Sequence, residues 1–251
     1  MNSLRVGCVK YLNARLLIYG WPGHVEFDHP GALCRRLARG DVDLALVSSF
    51  EFLRNPIYRI VDGVSISSDG PVYSVIVAHR GEISNIEEIE LDPAAETSVN
   101  LLRCLLAELN LTPCLVRSST LSPPGRLLIG DQAIQFRQKH GEKFHYWDLG
   151  EQWKRIVDLP FVYALWLVRP EVGDAKSIAD QLRAIRGRNV ANIDNVIAQE
   201  KEFDPAFCRR YYRQNLRFSF GKGEERGLQT FADLCAKLGL IPKRELKLEL
   251  V

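Results

Sequence analysis

The polar residues best placed to do chemistry are Asn13, Ser48, the pair Thr97-Ser98 and Asp131. Each stands where a strand-like or loop stretch gives way to a helical one. Amides and short hydroxyls at such junctions suit the holding of a ligand's hydroxyls and carboxylates, because the free N–H groups of a helix start face the same space. They assemble no evident acid–base pair. A further polar run, Ser67-Ser68-Asp69-Gly70-Pro71, ends in a Gly-Pro turn before the β-prone Val72-Tyr73-Ser74-Val75-Ile76-Val77. Architecture offers a reading of its own for each junction. Asn13 and Asp131 are good N-caps, Ser48-Ser49 and Thr97-Ser98 are capping pairs, and a capping residue can also line a crevice.

The usual catalytic signatures are missing: no P-loop, no H-E-x-x-H and no G-x-S-x-G. Gly221-Lys222-Gly223 lacks the β-α-β context of a dinucleotide fingerprint, and His140-Gly141-Glu142 lacks the P-C-x-x-C that zinc deaminases require. Cys8, Cys34, Cys104, Cys114, Cys208 and Cys235 are scattered without a C-x-x-C pair, as expected of buried thiols in a reducing compartment.

An α/β scaffold must position these residues. Val6 to Val9 reads as a buried strand, Tyr11-Leu12-Asn13 as a turn, and Ala14 onward as a helix. His24–Phe27 and Asp43–Val47 read as strands on either side of a helix from Pro30 to Gly40, where Pro suits the first turn and Gly the end. Two β-α units in succession predict a parallel sheet. Phe50–Arg54 reads as a helix, Tyr58–Val61 and Val64–Ile66 as short strands, and Val72–Val77 as a strand crossing to a second lobe.

The pattern then restarts. Glu90-Leu91 is a strand, Asp92–Thr97 a loop and Ser98–Leu109 a helix. Strands Leu115-Val116 and Leu127–Ile129 lead to a helix opened by Gly130-Asp131. Tyr146–Leu149 and a helix over Glu151–Val157 precede the apolar run Pro160–Val168, the expected return crossing. Helices are expected over Ala175–Arg186, Val190–Phe203, Pro205–Leu216 and Glu224–Leu238, the last stopped by Gly239. The tail from Pro242 carries no clear pattern. Residues 1–77 with 169–251 then form a discontinuous first lobe and 78–168 the second, with a ligand cleft between them.

At 251 residues, 46% hydrophobic and 25% charged, the chain can bury a full core. Its net charge of +2, from 33 basic and 31 acidic residues, argues against nucleic acid or a membrane surface and for a small polar ligand. No apolar run reaches the roughly 18 residues of a membrane helix, and no basic leader precedes the first strand, so a cytoplasmic protein is expected.

Taken together, Tyr11-Leu12-Asn13, Arg39-Gly40-Asp41-Val42-Asp43-Leu44-Ala45-Leu46, Ser67 to Val75, Thr97-Ser98, Ile129-Gly130-Asp131-Gln132-Ala133, Asp148-Leu149-Gly150-Glu151-Gln152-Trp153 and Leu159 to Trp166 resemble one family. It is the chorismate dehydratases of the futalosine route to menaquinone, and the likeness runs from about residue 4 to 241. The resemblance implies a periplasmic-binding-protein type II fold serving as a hydro-lyase, with chorismate as substrate, 3-[(1-carboxyvinyl)oxy]benzoate and water as products, and neither cofactor nor metal. Leu16 stands where the family usually has Pro, a local change in the first turn of a helix. The alternatives are the same pathway's 1,4-dihydroxy-6-naphthoate synthase and a non-catalytic carboxylate-binding protein of this fold. The former usually opens on a Ser-Pro-Cys-Pro-Asn-Asp type stretch instead of Lys10-Tyr11-Leu12-Asn13. Against the latter stand the missing helix-turn-helix segment and export signal.

Under that resemblance Asn13, Ser68 and Ser74 are the expected catalytic residues. Asn13 holds the substrate and aids departure of hydroxide, while Ser68 or Ser74 bonds a carboxylate or the leaving hydroxyl. Thr97 and Ser98 anchor a carboxylate, and Tyr11, Ser48, Ser67, Asp69, Gly70, Gly130 and Asp131 complete the binding set. The expected base is the substrate's own side-chain carboxylate, with Asp131 as its rival.

Overall fold

The computed structural model describes residues 4–92, 95–117 and 124–251. The expected Asp92–Thr97 loop lies partly outside them.

The chain opens with β1 (Val6–Val9), a 3-10 turn at Leu12–Ala14 and the short helix α1 (Arg15–Ile18). There follow β2 (Val25–Asp28), α2 (Pro30–Arg39), β3 (Leu44–Ser48), α3 (Ser49–Arg54) and β4 (Arg59–Ser68). Next come β5 (Val75–His79), β6 (Glu88–Glu90), α4 (Glu96–Glu108), β7 (Cys114–Val116), β8 (Gly125–Ile129) and α5 (Gly130–His140). β9 (His145–Asp148), α6 (Leu149–Val157) and β10 (Phe161–Val168) lead to a helical end. It contains α7 (Ala175–Ala191), α8 (Ile193–Ile197), α9 (Pro205–Arg210), a π-helical turn at Tyr211–Asn215 and α10 (Lys222–Lys237).

Two five-stranded mixed sheets result, ordered β2-β1-β3-β10-β4 and β7-β6-β8-β5-β9. In the first, β1 lies parallel to β2 and β3, as two β-α units require, and β10 runs antiparallel between β3 and β4. β1, β3 and β10 are buried along their whole length, which explains their unbroken apolar runs. Gly40 closes α2 in the left-handed conformation at φ 78°, where a Cβ would be strained.

The chain passes between the sheets twice, through Asp69–Ser74 and back through α6 and Leu159-Pro160. β5 pairs only within the second sheet and β10 only within the first. The lobe limits at 77 and 168 therefore cut β5 in two and count β10 with the second lobe, whereas the whole of β5 stands in the second sheet and the whole of β10 in the first.

Local expectations shift in several places. Tyr58–Val61 and Val64–Ile66 belong to one ten-residue strand, with Gly63 at φ 73° and a register shift against β10 between Leu165 and Leu167. α4 starts at Glu96 rather than Ser98, with Ala95 as its N-cap and no capping hydrogen bond from that residue's side chain. The helix expected over Val190–Phe203 is α7 running on to Ala191, followed by the short α8. The patternless tail adds an edge to the first sheet: Ile60 N–H donates to Glu249 O at 2.8 Å, and Val251 N–H returns the bond to Ile60 O at 3.0 Å. Five of the cysteines are buried and Cys114 is exposed.

Candidate active site

The cleft between the sheets holds a cavity of about 70 Å³. Val9, Tyr11, Asn13, Pro30 and Ser48 come to it from the first sheet and its helices, and Ser74 from the end of the first crossing. Ala95, Glu96, Thr97 and Ser98 come from the start of α4, Ile129 and Gly130 from the start of α5, and Tyr163 and Ala164 from β10. Among the described residues the lining has no cation, so any anion there is met by neutral donors.

Asn13 sits inside the 3-10 turn rather than at its N-cap, which is Tyr11, so the capping reading fails. Its Oδ1 is buried without a hydrogen-bond partner, an expensive state for an amide oxygen unless a ligand completes it. The turn is fixed on both sides of the chain. Tyr212 donates its hydroxyl to Leu12 O at 2.9 Å, and Leu12 N–H donates to Asp131 Oδ1 at 2.8 Å.

Thr97 does not cap α4 either. Its Oγ1 meets the Ser48 hydroxyl and accepts from Phe50 N–H at 3.2 Å, joining α4 to the start of α3. The uncapped first turn of α4 thus opens on the cleft beside Ser98. The first N–H groups of a helix have no partner within it and carry the positive end of its dipole. Gly130 packs on the Tyr11 ring: a Cβ at Gly130 would lie 2.8 Å from Tyr11 Cγ, and its φ of 56° disfavours any other residue.

Ser67, Ser68, Asp69, Gly70 and Asp131 are not brought to the lining. Ser67 is bound up with Ser65 and the Arg217 carbonyl, and Asp69 pairs with Lys154 at 2.8 Å and Arg217 at 3.1 Å. Those ion pairs hold the Asp69 carboxyl below its ordinary range, the Lys154 hydrogen bond contributing most. Ser68 donates to Gly70 O at 3.0 Å and meets the Tyr163 hydroxyl at 3.0 Å. Gly150 closes that pair from behind, since a Cβ on it would fall 2.8 Å from Ser68 Oγ. Asp131 turns to the Leu12 N–H instead of the cavity, and burial pushes its carboxyl up to about 6.

Several contributors were not anticipated. Asp148 caps α6 and also accepts from Val72 N–H at 3.0 Å and Tyr73 N–H at 2.7 Å. It thereby holds the crossing segment in which Tyr73 has φ 68°, a strained conformation for a non-glycine residue. The N-cap part of that role is legible as an Asp before a helical run. The clamp on a segment 75 residues away in sequence is not. Tyr163, Tyr211 and Glu96 left no local signal. Cys34, Glu51 and Glu96 bring potential metal-ligating atoms within 4.8 Å of one another. Arg54, however, pairs with both carboxylates, and burial pushes the Cys34 thiol up to about 12, so the cluster is explained by ion pairing.

The profile of a family described as menaquinone biosynthesis matches residues 4–237. The chain belongs to the menaquinone-biosynthesis family. A relative from Thermus thermophilus named chorismate dehydratase is 30% identical over 228 residues, which is 81% of this chain and 83% of that one. Among solved structures, a protein from Archaeoglobus fulgidus superposes with TM-score 0.73 at 17% identity, covering 95% of this chain and 98% of its own. The alkanesulfonate-binding protein of Xanthomonas axonopodis, bound to MOPS, gives 0.69 at 17% identity, covering 97% and 95%. The periplasmic aliphatic sulphonate-binding protein of Escherichia coli gives 0.66 at 13%, covering 98% and 96%. These likenesses establish the periplasmic-binding-protein-like fold for this member of the family. No helix among the described residues is long and apolar enough to cross a membrane.

Proposed function

We propose that the protein is a chorismate dehydratase, a hydro-lyase that removes water from chorismate to give 3-[(1-carboxyvinyl)oxy]benzoate. The observation that carries this reading is a cleft with no cation among its described lining residues, in which short hydroxyls and an amide stand with the Glu96 carboxylate. Asn13, with its unpartnered Oδ1, and the start of α4 both contribute to that lining. The name of the Thermus thermophilus relative supports the same activity. A cytoplasmic location belongs to the same proposal.

The chemistry asks little of the protein beyond placement. The ring hydrogen at the ether-bearing carbon is acidified through the adjacent double bond by the ring carboxylate, and loss of the neighbouring hydroxyl leaves an aromatic ring. The base is the substrate's own side-chain carboxylate, which lies close to that hydrogen. It takes the proton, the C–O bond breaks with its electron pair, and proton and hydroxide leave as water. Asp131 as base is disfavoured, because its carboxyl is engaged with Leu12 N–H and stands outside the lining. α4 and Ser98 anchor a carboxylate, and Asn13 receives the reacting ring.

Incubation with chorismate, followed by loss of the diene absorbance and mass detection of the aromatic product, tests the proposal. Tight binding of chorismate with no product would return the chain to the non-catalytic binding proteins of this fold.

A further inference from the structure

A second cavity, of about 360 Å³, adjoins the cleft, and its lining includes Tyr11, His29, Arg35, Asp92 and Gln132. The two cavities share their walls. Tyr11 lines both, and in each of three further segments one residue lines the cleft and a near neighbour lines the second cavity. These are Pro30 and His29 at the start of α2, Ala95 and Asp92 before α4, and Gly130 and Gln132 at the start of α5. Segments of both sheets' halves meet there, so the second cavity is a vestibule of the cleft.

Volume and charge give the vestibule a role. The cleft cavity, about 70 Å³, is far below the roughly 300 Å³ at which small-molecule sites begin, and the vestibule brings the joint space into that range. The cleft lining holds no cation among the described residues, whereas the vestibule holds Arg35 beside His29. Arg35 stands on the second turn of α2, is exposed and pairs with no described residue, while Arg36 next to it is bound to Glu26. Its fork of N–H groups matches the two oxygens of a carboxylate. With Asp92 in the same wall the net charge of the vestibule is small, so what it offers an anion is a direct pair with Arg35 and not a long-range field.

We propose that the vestibule is a carboxylate subsite, in which Arg35 pairs with one carboxylate of a two-carboxylate ligand whose other carboxylate lies at the start of α4. The inference rests on the chorismate reading and deepens it. Chorismate carries one carboxylate on the ring and one on the side chain, and the start of α4 with Ser98 accounts for only one of them. The substrate then spans both cavities along the Tyr11 wall that they share. Arg35 meets a carboxylate that is present before and after the loss of water, so it lowers KM and leaves kcat to the cleft.

The test uses the aromatic product, 3-[(1-carboxyvinyl)oxy]benzoate, and two analogues that each lack one carboxylate, 2-phenoxyprop-2-enoate and 3-(ethenyloxy)benzoate. All three are titrated by calorimetry against the unmodified chain, Arg35→Gln and Arg103→Gln, with chorismate turnover measured alongside. Arg103→Gln is the control, since it removes the same charge from a different cavity that Glu96 also lines. Arg35→Gln should weaken product binding about fivefold and weaken one monoacid by the same factor, leaving the other within about 1.5-fold. It should raise KM for chorismate about fivefold with kcat within about twofold, and Arg35→Lys should recover part of the loss. The monoacid that responds identifies the carboxylate that Arg35 meets. Unchanged product binding in Arg35→Gln, an equal response of the two monoacids, or an equal loss in Arg103→Gln would overturn the inference. Chorismate bound but never converted would overturn the dehydratase reading alone, and the calorimetric pattern would still decide the subsite.

Discussion

Two serine–tyrosine pairs flank the first crossing between the sheets, and they have opposite fates. Ser68 and Tyr163 form a closed pair, because Ser68 spends its proton on the Gly70 carbonyl and Gly150 packs against its back. Ser74 and Tyr211 form an open pair, because Ser74 accepts from Tyr211 and keeps its proton for the cleft. The residue types are identical. What separates a structural hydroxyl from one that can serve a ligand is whether a protein acceptor has already claimed the hydrogen.

The widest gap between the pairs should come from the open side. Asn13→Ala, which removes the amide that lines the cleft with Ser74, should lower kcat/KM for chorismate by about 10³-fold with the circular dichroism spectrum unchanged. Full activity in that variant would remove Asn13 from the site. Ser74→Ala should cost about 10²-fold in kcat, the scale of one lost transition-state donor.

Ser68→Ala sharpens the contrast in the other direction. It should keep turnover within about threefold and cost about 1–3 kcal/mol of stability, since Tyr163 loses its partner in a buried setting. Denaturant unfolding measures that loss. Turnover abolished at unchanged stability would reverse the roles assigned to the two pairs.

The smallest expected effect lies at Asp131, which acts behind the open pair through Leu12. Its carboxyl has a higher pKa folded, about 6, than its ordinary value of 3.8. A raised acid contributes stability that is complete below about pH 3.8 and is lost as the pH climbs through about 6. Asp131→Asn keeps an acceptor for the Leu12 N–H and should flatten stability across that window by about 1–2 kcal/mol. It should leave turnover nearly intact. Loss of turnover with chorismate still bound would make Asp131 the base.

Much of the scaffold is legible in local chemistry. Val6 to Val9 and Phe161 to Val168 announce buried strands, and Pro30 with Gly40 brackets α2 to within a residue. Other boundaries moved because distant chain decided them. β4 stays a single strand because β10 pairs along it past the Gly63 irregularity, and the tail becomes ordered edge because Ile60 offers it a partner. Ser67, Asp69 and Asp131 looked equivalent to Ser74 and Thr97 in sequence. Each is claimed by a partner elsewhere: Arg217 for Ser67 and Asp69, with Lys154 also on Asp69, and Leu12 for Asp131.

The sequence by itself determined the inventory: short hydroxyls, one amide and few charges at strand ends and helix starts, on a two-sheet α/β frame whose apolar runs and turn residues are local properties. Only the tertiary structure decided which of those groups still had a hydrogen or a lone pair to offer. Ser68 is closed by a tyrosine 95 residues away, and Ser74 is turned to the cleft by one 137 residues away. Hydrogen-bond capacity is fixed by residue type, but its remainder is set by neighbours that only the folded chain brings within 3 Å.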